Sequence, residues 1–149
     1  MISPLQALGA LAAWEAGWWV RRRARRGTQY RAALARARAI RRPLVVIGAP
    51  DGGVTSGYGC GDITIDLQPS RCACSMQLDV TKRLPFPDNS VVCAVFCVLE
   101  YVDDADAALR EIMRVAGHPA QAFFAGVEPW TGVAYLYPGA RRTLPKQFR

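Results

Sequence analysis

The sequence predicts an α/β domain built on an open, mainly parallel sheet, and three observations carry that expectation. Short, continuously apolar runs such as Leu44-Val45-Val46-Ile47 and residues 91–99 (VVCAVFCVL) have the composition of strands buried on both faces. An amphipathic helical pattern separates the last two runs, as a crossover between parallel strands requires. The runs also end in glycine or a carboxylate, at the strand ends where such sheets place their ligands. At 149 residues the chain is read as one such domain. With 51% apolar and 21% charged residues it is not a wholly disordered chain.

The N-terminal arm, residues 1–42, carries ten Arg against one Glu, net +9. Residues 43–149 hold nine basic and eleven acidic residues, net −2, so the basic character belongs to the arm alone. Nucleic acid is not an expected partner, because no basic surface wraps the domain. Within the arm, residues 2–20 contain a single charge, Glu15. As a helix this stretch would span about 28 Å, close to the thickness of a bilayer core. Trp14, Trp18 and Trp19 gather near its end, and Arg21-Arg22-Arg23-Ala24-Arg25-Arg26 follows, as on the cytoplasmic side of a span. Residues 1–26 are therefore expected to anchor the protein to a membrane. Residues 2–26 would contact lipid, and the globular domain would lie on the cytoplasmic side. Gly9, Ala13 and Gly17 share one helix face, on which a second transmembrane helix can pack.

Two other readings of the arm stand beside the anchor. A cleaved signal peptide is disfavoured, because the positive cluster follows the apolar run instead of preceding it. A helix packed on protein, or lying flat on a membrane, remains open because Ala and Gly dilute the hydrophobicity and Glu15 is costly in lipid. Gly27 is read as a break. Residues 28–40 then form a second, amphipathic helix within segment 27–42, its stripe of Tyr30, Ala33, Leu34, Ala37 and Ile40 covering the domain behind it.

The α/β part, residues 43–149, follows in order. Leu44-Val45-Val46-Ile47 is the first strand, stopped by Gly48. Ile63-Thr64-Ile65-Asp66-Leu67 alternates and stops before Pro69. Met76-Gln77-Leu78-Asp79-Val80 is a short third strand, and residues 91–99 form the fourth. Asp103-Asp104 caps a helix whose core face is Ala105, Ala108, Leu109, Ile112, Met113 and Ala116, closed by Gly117. Residues 121–127 are the fifth strand.

The five cysteines are odd in number and irregularly spaced, so reduced thiols are expected and not a disulfide framework. Cys93 and Cys97 read as small core residues. Cys60, Cys72 and Cys74 lack a fourth ligand at finger-like spacing, and no metal site is expected. His118, the single histidine, follows the helix at the end away from the strand tips and is not expected to act as a base. Asp88 reads as turn chemistry, and Glu111 with Arg114 as a solvated pair.

The strand ends supply the candidate site. Gly48 lets a ligand approach backbone, a carboxylate at Asp66 can accept both hydroxyls of a ribose, and one at Asp79 can accept an exocyclic amine. Leu78-Asp79-Val80, Leu84-Pro85-Phe86-Pro87-Asp88-Asn89-Ser90, Val98-Leu99-Glu100-Tyr101-Val102 and Ala108-Leu109-Arg110-Glu111-Ile112-Met113-Arg114-Val115 resemble, in order and spacing, the class I S-adenosylmethionine-dependent methyltransferases of the small-molecule, type 11-like kind. The resemblance runs from about residue 43 to 127. It implies a Rossmann-like sheet with S-adenosylmethionine as cofactor; in this chain the sheet is expected to be C-terminally abbreviated and preceded by the N-terminal helices. By the same resemblance Asp66 would hold the ribose, Asp79 with Val80 the adenine, and Gly48 would border the methionine moiety. Glu100 and Tyr101 would lie near the methyl donor or the acceptor.

Two departures from the family pattern accompany it. Val46 stands where the family's glycine motif has an acidic residue, and residues 50–61 leave little room for a full crossover helix. After the fifth strand there is room for one more, at residues 133–137, so the sheet edge needs cover from a protein partner or the N-terminal helices. Two functions follow. One is a membrane-tethered methyltransferase acting on a lipid-like or membrane-proximal acceptor. The other is a non-catalytic structural or accessory subunit of a membrane complex or membrane-containing viral particle.

Overall fold

A computed structural model describes residues 3–48 and 56–126. Five parallel strands form one sheet in the order β3-β2-β1-β4-β5, from β1 (Leu44–Ile47), β2 (Ile63–Asp66), β3 (Ser75–Gln77), β4 (Val92–Phe96) and β5 (Ala122–Ala125). This is the Rossmann-like arrangement, with the order reversing beside β1. The central pair is buried on both faces, and alternation sorts its side chains. Leu44 and Val46 of β1, with Val92, Ala94 and Phe96 of β4, face one layer; Val45, Ile47, Cys93 and Val95 face the other.

That second layer is α2 (Ala105–Ala116). Ala108, Ile112, Val115 and Ala116 are fully buried against the sheet, joined by Val80, Leu84 and Val91 from the segment before β4. Asp104 caps the helix by accepting a hydrogen bond from the Ala107 N–H at 2.8 Å, and Gly117 closes it. Glu111 and Arg114 are not the solvated pair the spacing suggested. The Arg114 guanidinium donates to the Phe86 and Leu84 carbonyls at 3.0 and 3.1 Å and pairs with Asp88 and Glu111, and Glu111 accepts from the Leu84 N–H at 2.7 Å. Together they clamp the chain leading into β4. His118 accepts from the Ala120 N–H at 3.1 Å and caps the short 3-10 turn Pro119–Gln121, away from the strand tips.

The first layer is a single helix, α1 (Pro4–Ile40), 37 residues long. The expected break at Gly27 does not occur. Gly27 is buried within the helix, and a Cβ there would lie 2.9 Å from the Gly57 carbonyl oxygen, so this glycine permits close approach instead of a turn. Ala33 and Ala37 lie flat on β1, β4 and Ala125, with Tyr30, Leu34 and Ile40 around them, which gives residues 28–40 the covering role expected. At about 1.5 Å per residue α1 is roughly 55 Å long, far more than strands of four or five residues can cover. Its first half therefore overhangs the domain, leaving Leu5, Leu8, Leu11, Trp14 and Val20 more than half exposed.

Three expectations change. Among the described residues no helix is long and apolar enough to cross a membrane, so the expected span is not supported; the alanines and glycines of residues 4–20 dilute it. Cys60 and Cys72 form a disulfide, with Cα atoms 5.6 Å apart, where reduced thiols were expected. Parallel pairing of β2 with β3 brings the residues preceding each strand together, which sequence spacing does not reveal. The third strand is shorter than its pattern: pairing stops at Gln77, and residues 78–80 form a turn beside the strand tips. The candidate strand at residues 133–137, the cover of the sheet edge beyond residue 126 and the glycines following Gly48 lie outside the described residues.

Candidate functional site

The carboxyl ends of β1, β2 and β4 enclose a cleft of about 370 Å³. Its walls include Gly48 after β1, Asp66 at the tip of β2, Leu78 and Val80, and Cys97 and Tyr101 after β4. The volume lies in the range of small-molecule sites, and the walls are mostly apolar with a few convergent polar groups.

Gly48 is required by its surroundings. Its φ is +108°, a Cβ would lie 2.3 Å from the Phe96 carbonyl oxygen, and its N–H donates to the Ile65 carbonyl at 2.9 Å. The tip of β1 is thus pressed between its two neighbours, leaving bare backbone at the cleft. Asp66 is half-buried, and its Oδ1 accepts from the Gln68 N–H at 2.7 Å, a turn that aims the carboxylate along the cleft wall. Asp79 is directed otherwise. Its Oδ1 accepts from the Thr81 hydroxyl at 2.7 Å and the Thr81 N–H at 2.9 Å, and these bonds hold its carboxyl below the usual range. The wall at this point is Val80, 4% exposed, with Leu78.

After β4 the structure separates the two residues assigned there. Tyr101 lines the cleft, whereas Glu100 is fully buried behind it. A Cβ on Gly126 would collide with Glu100 Oε1, so the carboxylate rests on the backbone just past β5. Sequence reasoning missed the company it keeps. Cys97, read as a core residue, adopts a φ of 52° and lines the cleft. Its thiol is pushed up to about 11, chiefly by burial and then by Glu100, against the opposing effect of Arg26 and Arg22. The guanidinium of Arg26 also lies 5.9 Å from the centre of the Tyr58 ring, and Arg22 is only 9% exposed.

Two arginines of the cluster assigned to lipid therefore belong to the back of this site. The signal was present in helical phase. Arg22 lies about three turns from Ala33, on the side of α1 that faces the sheet. Cys60 and Cys72, the remaining ligand-type residues considered, are spent in their disulfide.

Residues 58–121 match the family described as Methyltransferase domain. The matched model belongs to a class I S-adenosylmethionine-dependent methyltransferase family, and the matched segment includes Asp66, Asp79, Val80, Glu100 and Tyr101, with Gly48 just before it. No curated protein and no solved structure matches the chain.

Proposed function

We propose that this protein binds S-adenosylmethionine in the cleft and acts as a methyltransferase on a lipid-like or membrane-proximal acceptor. The observation that carries the reading is the succession of Gly48, Asp66, Val80 and Tyr101 around one cleft, the last three within the segment that matches the family. The donor set suits the cofactor: bare backbone for the amino-acid portion, a carboxylate for ribose hydroxyls, and apolar walls for a purine. When bound, the cofactor supplies a methyl group on a sulfonium. The chain's own part is to orient the donor, exclude water and position the acceptor, since such a transfer needs little covalent help. Tyr101 is the residue we assign to the acceptor side, and Glu100 positions the strand tip from behind.

The overhang of α1 supports the membrane part. Leu5, Leu8, Leu11 and Trp14 are exposed, Trp14 and Trp18 stack edge to face, and Arg21 lies over the Trp18 ring at 5.4 Å. An apolar face ending in tryptophan and arginine suits an anionic lipid surface.

A second reading is favoured by Glu100. The carboxylate assigned to catalysis is fully buried, as suits a cofactor-binding or accessory subunit without catalysis. In that reading a partner helix packs on Gly9, Ala13 and Gly17; a Cβ at Gly9 or Gly17 would meet nothing within 4 Å.

Calorimetric titration of S-adenosylmethionine and S-adenosylhomocysteine into the full chain tests the site. Micromolar binding, weakened at least tenfold by Asp66→Ala, is expected. A folded chain that binds neither compound overturns the cofactor reading. Binding without methyl transfer to any lipid in anionic vesicles selects the second reading.

A further inference from the structure

The Cys60–Cys72 disulfide closes a ring of chain that contains all of β2, Asp66 and Gln68, the stretch forming one wall of the cleft. Within the ring the Thr64 hydroxyl donates to the Cys60 carbonyl at 2.7 Å, and Asp66 turns the chain toward Gln68. After that turn the connection to β3 runs largely in solvent: Leu67 is 54% exposed, and Gln68, Pro69, Arg71 and Cys74 are exposed as well. Its ties include a bond from the Gln77 side chain to the Leu67 carbonyl at 2.7 Å, a Ser70–Cys72 turn at 3.2 Å and, at its far end, a bond from the Thr64 N–H to the Cys74 carbonyl at 2.9 Å. Cys72, by contrast, is buried. The disulfide is the covalent restraint on this wall.

The restraint is also separable from the rest of the fold. Neither main core cluster contains Cys60 or Cys72; β2 enters one of them through Ile65, with Ile63 and Met76 packed against it, while the connection from Leu67 to Cys74 contributes nothing to either. Cys60 is half-exposed, so its sulfur can be approached by a thiol.

We propose that the Cys60–Cys72 disulfide is a reversible redox control on the cleft, holding its Asp66 wall in the ligand-binding form when oxidised and releasing it when reduced by a dithiol. The consequence for binding rests on the cofactor reading above. In the step itself, a thiolate of the dithiol attacks Cys60 Sγ, forming a mixed disulfide and expelling Cys72 as a thiolate, which takes up a proton. The second thiol of the reductant then displaces Cys60. The products are two protein thiols and one oxidised dithiol, with two electrons transferred.

The test compares the full chain oxidised and after dithiothreitol, with the Cys60→Ser/Cys72→Ser double variant as a second measure. Iodoacetamide labelling under native conditions defines the states. Cys74 is exposed and Cys93 is buried, whereas Cys97 lines the cleft with its thiol pushed up to about 11 by burial, so both of the latter label far more slowly than Cys74 at neutral pH. Labelling should rise from Cys74 alone to include Cys60 on reduction. Amide exchange in residues 67–74 should quicken at least tenfold, with β4 and α2 unchanged, and affinity for S-adenosylhomocysteine should fall at least fivefold. The double variant should match the reduced chain with or without oxidant. Unchanged exchange in residues 67–74, or a loss of protection spread through β4 and α2, overturns the proposal. Equal affinity in both states overturns it too. If the oxidised chain binds no S-adenosylhomocysteine, the cofactor reading fails, and exchange still decides whether the bond governs this wall.

Discussion

Gly27→Ala tests whether α1 is part of the domain. In a free helix this change gains about 1 kcal/mol, because alanine loses less backbone entropy than glycine. Here the new Cβ would lie 2.9 Å from the Gly57 carbonyl oxygen and 3.3 Å from Arg31 Nη1. The arginine tip can swing away; the carbonyl cannot, because a Cβ at Gly57 would itself lie 2.6 Å from the Arg23 carbonyl oxygen, and the two backbones already touch. Forcing them apart costs about 1–3 kcal/mol, the scale of overpacking in a close-packed interior. The propensity gain offsets part of it, leaving a net loss of up to about 2 kcal/mol. At a urea slope of about 2 kcal/mol/M this lowers the unfolding midpoint by up to about 1 M. Gly9→Ala on the same helix meets nothing within 4 Å and keeps only the gain. Urea titrations followed by far-ultraviolet circular dichroism read both. If Gly27→Ala raises the midpoint as Gly9→Ala does, α1 is not docked through Gly57 and the covering layer is wrong.

Two more outcomes are expected. Asp104→Ala removes the cap on α2 and should cost about 1 kcal/mol in the same titration, with Asp104→Ser recovering most of it; an unchanged midpoint refutes the cap. The Glu111 carboxyl is held below its ordinary range by the Arg114 hydrogen bond and, after burial's opposing effect, by the Leu84 N–H. Its folded pKa being the lower, its contribution is complete above the unfolded value of about 4.3 and is lost as pH falls through the folded one. Thermal stability should therefore decline more steeply on acidification below about pH 4.3 in the wild type than in Glu111→Gln, and parallel curves would refute the clamp.

What the sequence disclosed follows from where the forces are local. β1 and β4 were legible because two-sided burial demands an uninterrupted apolar run. The helix α2 was legible because its stripe and both caps lie within fourteen consecutive positions, 104–117. Gly27 was misread because a glycine that breaks a helix and one that admits a neighbouring carbonyl look alike until Gly57 is in place. The Cys60–Cys72 bond was hidden for a related reason: the sheet register, not the cysteine spacing, brings the pair together. At the site, Gly48, Asp66, Val80 and Tyr101 were legible as strand-end chemistry, and the structure gathers them. The depth of Glu100 was not, because the backbone of Gly126 that covers it follows β5, more than twenty residues later.

The same long-range packing changes what the N-terminal arm is. A membrane anchor joined by a linker can be exchanged without touching the domain. Here Leu11, Arg22 and Ala33 follow one another at about three-turn intervals along one side of a continuous helix. Ala33 is buried on the sheet, Arg22 is buried near Cys97, and Leu11 is 59% exposed, past the domain's edge. One rigid stripe thus passes from sheet cover, through the back of the cleft, to an open apolar surface. Whatever seats on the outer half holds the same rod that brings Arg22 and Arg26 to the strand tip bearing Cys97, Glu100 and Tyr101. A chain cut at Gly27 would take from the strand tip the two cations that act on the Cys97 thiol and from Tyr58 its arginine. The arm is therefore part of the site's construction, and binding measurements belong on the full chain.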